Sequence, residues 1–203
     1  YGLIIAGAAA LLYGFIFLHP FDAPAHHAAG AEGHAADVSS TRFWAVLLQN
    51  SVFWLLVVNA SMFFLCVTTM AMGGWQVALR RVPEAISSVV PILGLIHFAV
   101  LLALVFGHRT DIYHWLDKDA VAADHILNGK KGFLNPTFFL LWSGITIFLW
   151  WLLGKKMRSL SLQSDENGHM DYEAGKKWIW TNTVYASLFC VVFTLTVAST
   201  IPW

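Results

Sequence analysis

The sequence predicts an all-α fold, a polytopic transmembrane helix bundle of five spans, with one peripheral helix preceding a four-helix bundle. Three observations carry this reading. Hydrophobic residues make up 58% of the 203 positions and charged residues 12%, about half the charged share of a soluble domain. The chain holds 15 Phe and 10 Trp, more apolar surface than a water-soluble domain of this length buries. The charged residues lie mostly between long apolar runs that lack them. Together these exclude a soluble enzyme and a disordered chain. The formal net charge of zero excludes a basic nucleic-acid-binding face.

The uncharged runs are Gly2 to Leu18, a long run between Arg42 and Arg80, Ala85 to Gly107, Gly132 to Gly154, and Trp178 to Trp203. Each approaches or exceeds the roughly 20 residues that cross about 30 Å of hydrocarbon. The second is longer and is expected to tilt or project. Runs such as Phe53-Trp54-Leu55-Leu56-Val57-Val58 are apolar on every face, unlike the alternating strands of a barrel. Helices satisfy their own backbone groups in lipid. The chain divides into residues 1–41, a first helix with a His/Ala/Gly-rich loop, and residues 42–203, the four-helix bundle.

The ends of the runs carry punctuation. Asn135-Pro136 reads as an N-cap followed by proline at the first helical position, and Pro83-Glu84 is expected to open the third helix. Trp44, Trp75, Trp178, Trp180 and Trp203 lie near boundaries, as an aromatic belt would. The first run begins at Tyr1 without a charged segment, so a signal peptide is a poor reading, and both termini read as cuts in a longer chain. Five Lys and Arg fall in the connections 19–42 and 108–131, and seven on the other side. This bias is expected to place those two connections outside, which would be periplasmic in a Gram-negative cell.

The connection from His19 to Asp37 is rich in Ala and Gly and contains His19, His26, His27 and His34. Its spacing matches no metal site, and it reads as an open loop. Asp117 to Asn128 reads as one short interfacial helix, capped by Asp117 or Asp119 and ended by Gly129 in a left-handed turn. Ser159 to Lys177 reads as a solvated loop. No metal site is expected, and no catalytic motif is present: there is no C-x-x-C-H, iron–sulfur cysteine set, P-loop or G-x-G-x-x-G. Only His97 lies well inside a run, so a haem held by facing histidines is not expected. Cys66 and Cys190 read as inert buried thiols.

His97 is the informative residue. An ionisable group at mid-membrane is costly and usually faces a bundle interior or a water-filled cavity. Its imidazole both accepts and donates a proton. Pro91 and Gly94 are expected to bend the helix beside it. If the helix continued past Gly107, His108 and Asp111 would share a face with His97. His108, Arg109, Asp111 and Tyr113 would then form the mouth of a proton path or a quinone headgroup pocket. The bland reading is a hydrogen-bonded core His97 and an Arg109–Asp111 pair at a helix end. Polar stripes at helical spacing, Asn59, Met62, Cys66, Thr69 and Gly73 in the second run and Thr183, Ser187, Cys190 and Thr194 in the fifth, read first as packing surfaces, with proton relay the alternative.

Arg42-Phe43-Trp44 through Asn59-Ala60-Ser61, Pro91-Ile92-Leu93 to His97, His108-Arg109-Thr110-Asp111-Ile112-Tyr113-His114-Trp115, and Lys130-Lys131-Gly132-Phe133-Leu134-Asn135-Pro136 carry a family resemblance. They resemble the NrfD/PsrC-like quinone-associated membrane subunits, and within these the ActF-type subunits of bacterial alternative complex III, a quinol:electron acceptor oxidoreductase. The resemblance covers most of the chain from residue 42 onward. It implies about ten helices in the full family chain, with two four-helix bundles, the first of which matches the second to fifth runs. In a paralogous subunit a third-helix His and a following Asp contribute to a quinol pocket; His97 and Asp111 match those positions. The resemblance implies a subunit without its own redox cofactor that supports proton movement in a respiratory chain. Quinone or quinol would be present in the complex, haem c and Fe–S centres would sit on partner subunits, and membrane lipids would surround it. A proton- or ion-coupled transporter and a purely structural membrane subunit are the competing readings.

Overall fold

The computed structural model describes residues 2–17, 31–166, 168 and 171–200, and these are mostly helical, with no strand among them. The elements in order are α1 (Gly2–Phe17), α2 (Ala31–Met70), α3 (Gln76–Leu79), α4 (Arg81–Ser87), α5 (Val90–Phe106), a 3₁₀ turn (His114–Leu116), α6 (Lys118–Ala123), α7 (His125–Gly129), α8 (Pro136–Glu166) and α9 (Tyr172–Thr200). Four stretches are long and apolar enough to cross a membrane: Ser40–Met70, Arg81–Phe106, Pro136–Glu166 and Tyr172–Thr200. The expected first span is shorter. The 16 residues of α1 rise only about 24 Å at 1.5 Å each, short of the roughly 30 Å hydrocarbon thickness.

Several boundaries differ from the sequence expectation, and in one direction. Helix α2 begins at Ala31, within the stretch expected to be a loop; His34 is in it, while His19, His26 and His27 lie outside the described residues. Helix α8 runs on to Glu166, through residues expected to be a solvated loop, and α9 starts at Tyr172. The loss of apolar residues marks the end of lipid-compatible sequence. Backbone hydrogen bonding i→i−4 has no such requirement and continues into the polar flank.

The chain forms two compact units. Unit 1 comprises residues 1–52 and 97–140. Gly14 of α1 is buried, and a Cβ there would lie 2.5 Å from the Phe43 ring of α2; only glycine permits that approach. Helix α5 ends in a Schellman motif. His108 N–H donates to Val105 O at 3.2 Å and Arg109 N–H to Leu104 O at 3.2 Å, while His108 takes φ +47°. Helix α5 stops at Phe106, and it is His108 that adopts the left-handed conformation. The helix therefore does not continue to carry His97, His108 and Asp111 on one face.

The single interfacial helix expected over Asp117–Asn128 is two short helices, α6 and α7. Asp124 interrupts it and caps α7, its carboxylate accepting from Ile126 N–H at 2.8 Å. Gly129 is the last residue of α7 and is not left-handed; the described glycine with positive φ is Gly168. Asn135 caps α8 as expected, its side-chain oxygen accepting from Phe138 N–H at 2.7 Å. Trp44, expected in an interfacial belt, is instead buried, whereas Trp75 and Trp180 are exposed.

Unit 2 comprises residues 53–96 and 141–203. Its core packs Leu55, Val58, Met62, Leu65 and Cys66 of α2, Val90 of α5, Trp150, Leu153 and Met157 of α8, and Ala186 and Phe189 of α9. Indole groups tie α8 to α9: Trp150 Nε1 donates to Thr196 Oγ1 at 2.9 Å and Trp142 Nε1 to Ser199 Oγ at 2.9 Å. Gly94 packs so closely on α8 that a Cβ would collide with the Ile147 side chain. Helix α4 begins at Arg81, two residues before the expected Pro83 start, and Arg80 supplies no side-chain cap.

The irregularity expected beside His97 falls earlier, at Ser88–Val89, between α4 and α5. Pro91 has no N–H for Ser87 O, and its ring crowds that carbonyl. The backbone tightens there, with Ile92 N–H donating to Val89 O at 3.0 Å. The disturbance lies on the N-terminal side of Pro91, which leaves the helix around His97 regular.

Candidate functional site

Unit 1 brings two of the expected ionisable residues onto hydroxyls of α2. His97 Nδ1 lies 2.9 Å from Ser51 Oγ. Ser51 Oγ also donates to Leu48 O at 2.8 Å. With its hydrogen on Leu48 O, the hydroxyl presents lone pairs to the ring, so His97 Nδ1 carries the hydrogen in that arrangement. Rotation of the hydroxyl reverses the roles. Asp111 is held by the second hydroxyl: Thr41 Oγ1 donates to its Oδ2 at 2.5 Å. Asp111 Oδ1 is buried and has no partner among the described residues.

Thr41 and Ser51 are ten residues apart on one continuous helix, an axial separation of about 15 Å. The site is therefore two polar stations along α2, one inside the span and one at its end. The end station has an aromatic wall. Tyr113, Trp115 and Phe139 are buried with ring centroids 5.3 to 5.4 Å apart. Burial pushes the Tyr113 hydroxyl up to about 12, because the phenolate loses water on entering the cluster. Arg109 is 2% exposed beside it, whereas His108 is exposed. Thr41 and Ser51 were not singled out from sequence. A hydroxyl in an apolar run is common in helix packing, and only the fold shows which of them meets an ionisable partner.

The polar stripes behave differently. Thr69, Thr183 and Ser187 donate to backbone oxygens one turn earlier in their own helices, at 2.8, 2.9 and 2.8 Å. Thr194 is exposed. Asn59 is 1% exposed, with neither amide atom partnered among the described residues. Cys66 is a buried free thiol of the unit 2 core, whereas Cys190, also expected to be buried, is a half-buried free thiol packed against it. Among the described residues, no three His, Cys, Asp or Glu gather as metal ligands would.

Sequence reasoning also passed over an ionic cluster in unit 2. Glu84 is 1% exposed. It accepts from Arg80 Nε at 3.1 Å and from an Arg81 terminal nitrogen at 2.7 Å. Arg81 also reaches Ser161 Oγ at 3.2 Å and pairs with Asp165. The Arg80 guanidinium stacks over Trp178, whose Nε1 donates to Leu160 O at 3.0 Å. The cluster joins α4, α8 and α9.

No protein-family model, curated protein or solved structure matches this chain. Fold and composition define it as an integral, multi-pass helical membrane protein.

Proposed function

We propose that the chain is a membrane subunit of a quinol:electron acceptor oxidoreductase of the alternative complex III type, in a bacterial inner membrane. It carries no redox centre of its own, and unit 1 conducts or couples protons. The observation that supports this most is the pairing of two ionisable side chains with hydroxyls on one helix: Ser51 with His97 and Thr41 with Asp111. Imidazole and hydroxyl both accept and donate, so a proton entering at one face leaves at the other without side-chain relocation. The carboxylate is the proton-collecting end. Proton transfer across the roughly 15 Å between the stations requires a chain of about four or five hydrogen-bonded waters at ~2.8 Å each. In this reading the connections 19–42 and 108–131 face the periplasm. Quinol oxidation, haem c and Fe–S centres belong to partner subunits.

The test uses the native complex in membranes. Replacing His97→Leu or Asp111→Asn leaves assembly intact and lowers quinol turnover, or the number of protons moved per electron, by on the order of tenfold. Ser51→Ala has a smaller effect in the same direction. Unchanged turnover and unchanged proton coupling in both His97→Leu and Asp111→Asn refute the proposal.

A further inference from the structure

Unit 2 contains a cavity of about 150 Å³ whose chemistry is graded along α8. Its inner wall is formed by Asn59, Met62, Val90 and Trp150, and its mouth by Lys155 and Arg158. Both cations are exposed, Lys155 standing 5.3 Å over the Trp151 ring. No residue lining the cavity is acidic. Along α8 the two cations lie about 8 and 12 Å beyond Trp150. Lysine and arginine three residues apart share one helix face, so both present charge at one opening.

The inner end carries an unmet requirement. Asn59 is buried to 1% and neither its amide nitrogen nor its oxygen has a partner among the described residues. A buried amide without hydrogen bonds is unfavourable, so a polar group belongs beside it. Gly154 also lines the cavity, and a Cβ there would meet nothing within 4 Å. The space is open at this point of α8 and is not held shut by close helix contact.

We infer that this cavity binds the polar end of an acidic glycerophospholipid. The phosphodiester pairs with Lys155 and Arg158 at the mouth. An ester carbonyl, deeper by the length of the glycerol, accepts from Asn59 Nδ2, and the cavity has room for water at Oδ1. The walls formed by Met62, Val90, Pro91 and Trp150 receive the start of an acyl chain. A zwitterionic lipid brings an ammonium towards two like charges and is disfavoured. A free phosphate meets the cations but leaves Asn59 unpaired.

The test is native mass spectrometry of the full chain in detergent with equimolar dioleoyl phosphatidylglycerol and dioleoyl phosphatidylcholine. The wild type retains phosphatidylglycerol over phosphatidylcholine by about thirtyfold, the scale set by two basic groups at a lipid surface. Lys155→Gln with Arg158→Gln brings that ratio close to one. Gly154→Leu, which fills the space and favours helix, reduces retention of phosphatidylglycerol while circular dichroism stays unchanged. A wild-type ratio near one, or retention unaltered in both variants, overturns the inference. Displacement of the lipid by millimolar inorganic phosphate also overturns it, by assigning the site to a free anion.

Discussion

Glu84 offers the sharpest test of how unit 2 is held together. Glu84→Gln keeps the side-chain shape and removes the charge that faces Arg80 and Arg81. Both carboxylate oxygens are used, at 3.1 and 2.7 Å, and the side chain is 2% exposed. Breaking a fully buried pair from one side costs about 3–5 kcal/mol, much of it from the charge left behind. Here the arginines retain 16% and 45% side-chain exposure, and Arg81 keeps Ser161 and Asp165. Partial rehydration places the expected loss near the lower end, about 3 kcal/mol, or roughly 150-fold in the unfolding equilibrium. The same Arg81 provides an internal control. Asp165 is 61% exposed, so Asp165→Asn costs under about 1 kcal/mol. The assay is reversible unfolding in mixed detergent and SDS micelles, followed by tryptophan fluorescence. Equal losses for the two variants, or a Glu84→Gln loss below about 0.5 kcal/mol, refute the argument that burial decides the strength of this cluster.

Two further outcomes follow from unit 1. His108→Gly stabilises the protein by about 1 kcal/mol, because glycine takes φ +47° without the Cβ penalty; a lower unfolding midpoint contradicts the Schellman assignment. Tyr113, pushed up to about 12, ionises about two units above an ordinary tyrosine. The folded state holds that proton more tightly, so the stability it contributes is complete below pH ~10 and is lost as pH rises towards ~12. Ultraviolet difference titration of wild type against Tyr113→Phe measures this, and a difference signal complete by pH ~10 contradicts it.

Much of the fold is legible in the distribution of charge. A run without Asp, Glu, Lys or Arg is compatible with hydrocarbon, and helices are what such runs form there, so the sequence alone places the apolar parts of α2, α5, α8 and α9. The helix ends were harder to read. Residues 159–166 are largely polar yet helical, because helicity is set by local hydrogen bonds and not by the polarity of the side chains. Asn135 was readable as a cap because its action is local. Asp124 was missed because Asp117 and Asp119 offer the same chemistry a few residues earlier.

His97 stands out as an ionisable group inside an apolar run and Asp111 as one just beyond its end, and that much belongs to the sequence alone. Their partners do not. Thr41 and Ser51 are two hydroxyls among many, and only packing against α2 selects them, since a hydrogen bond requires a meeting within about 3 Å. The same holds for Glu84, which reads as a helix-start residue in sequence and becomes a buried anion once α4 is packed. Composition determined that this chain belongs in a membrane, because apolar transfer depends on how much surface there is and not on its arrangement. Tertiary structure decided which polar groups inside it meet, because hydrogen bonds and ion pairs depend on position and direction.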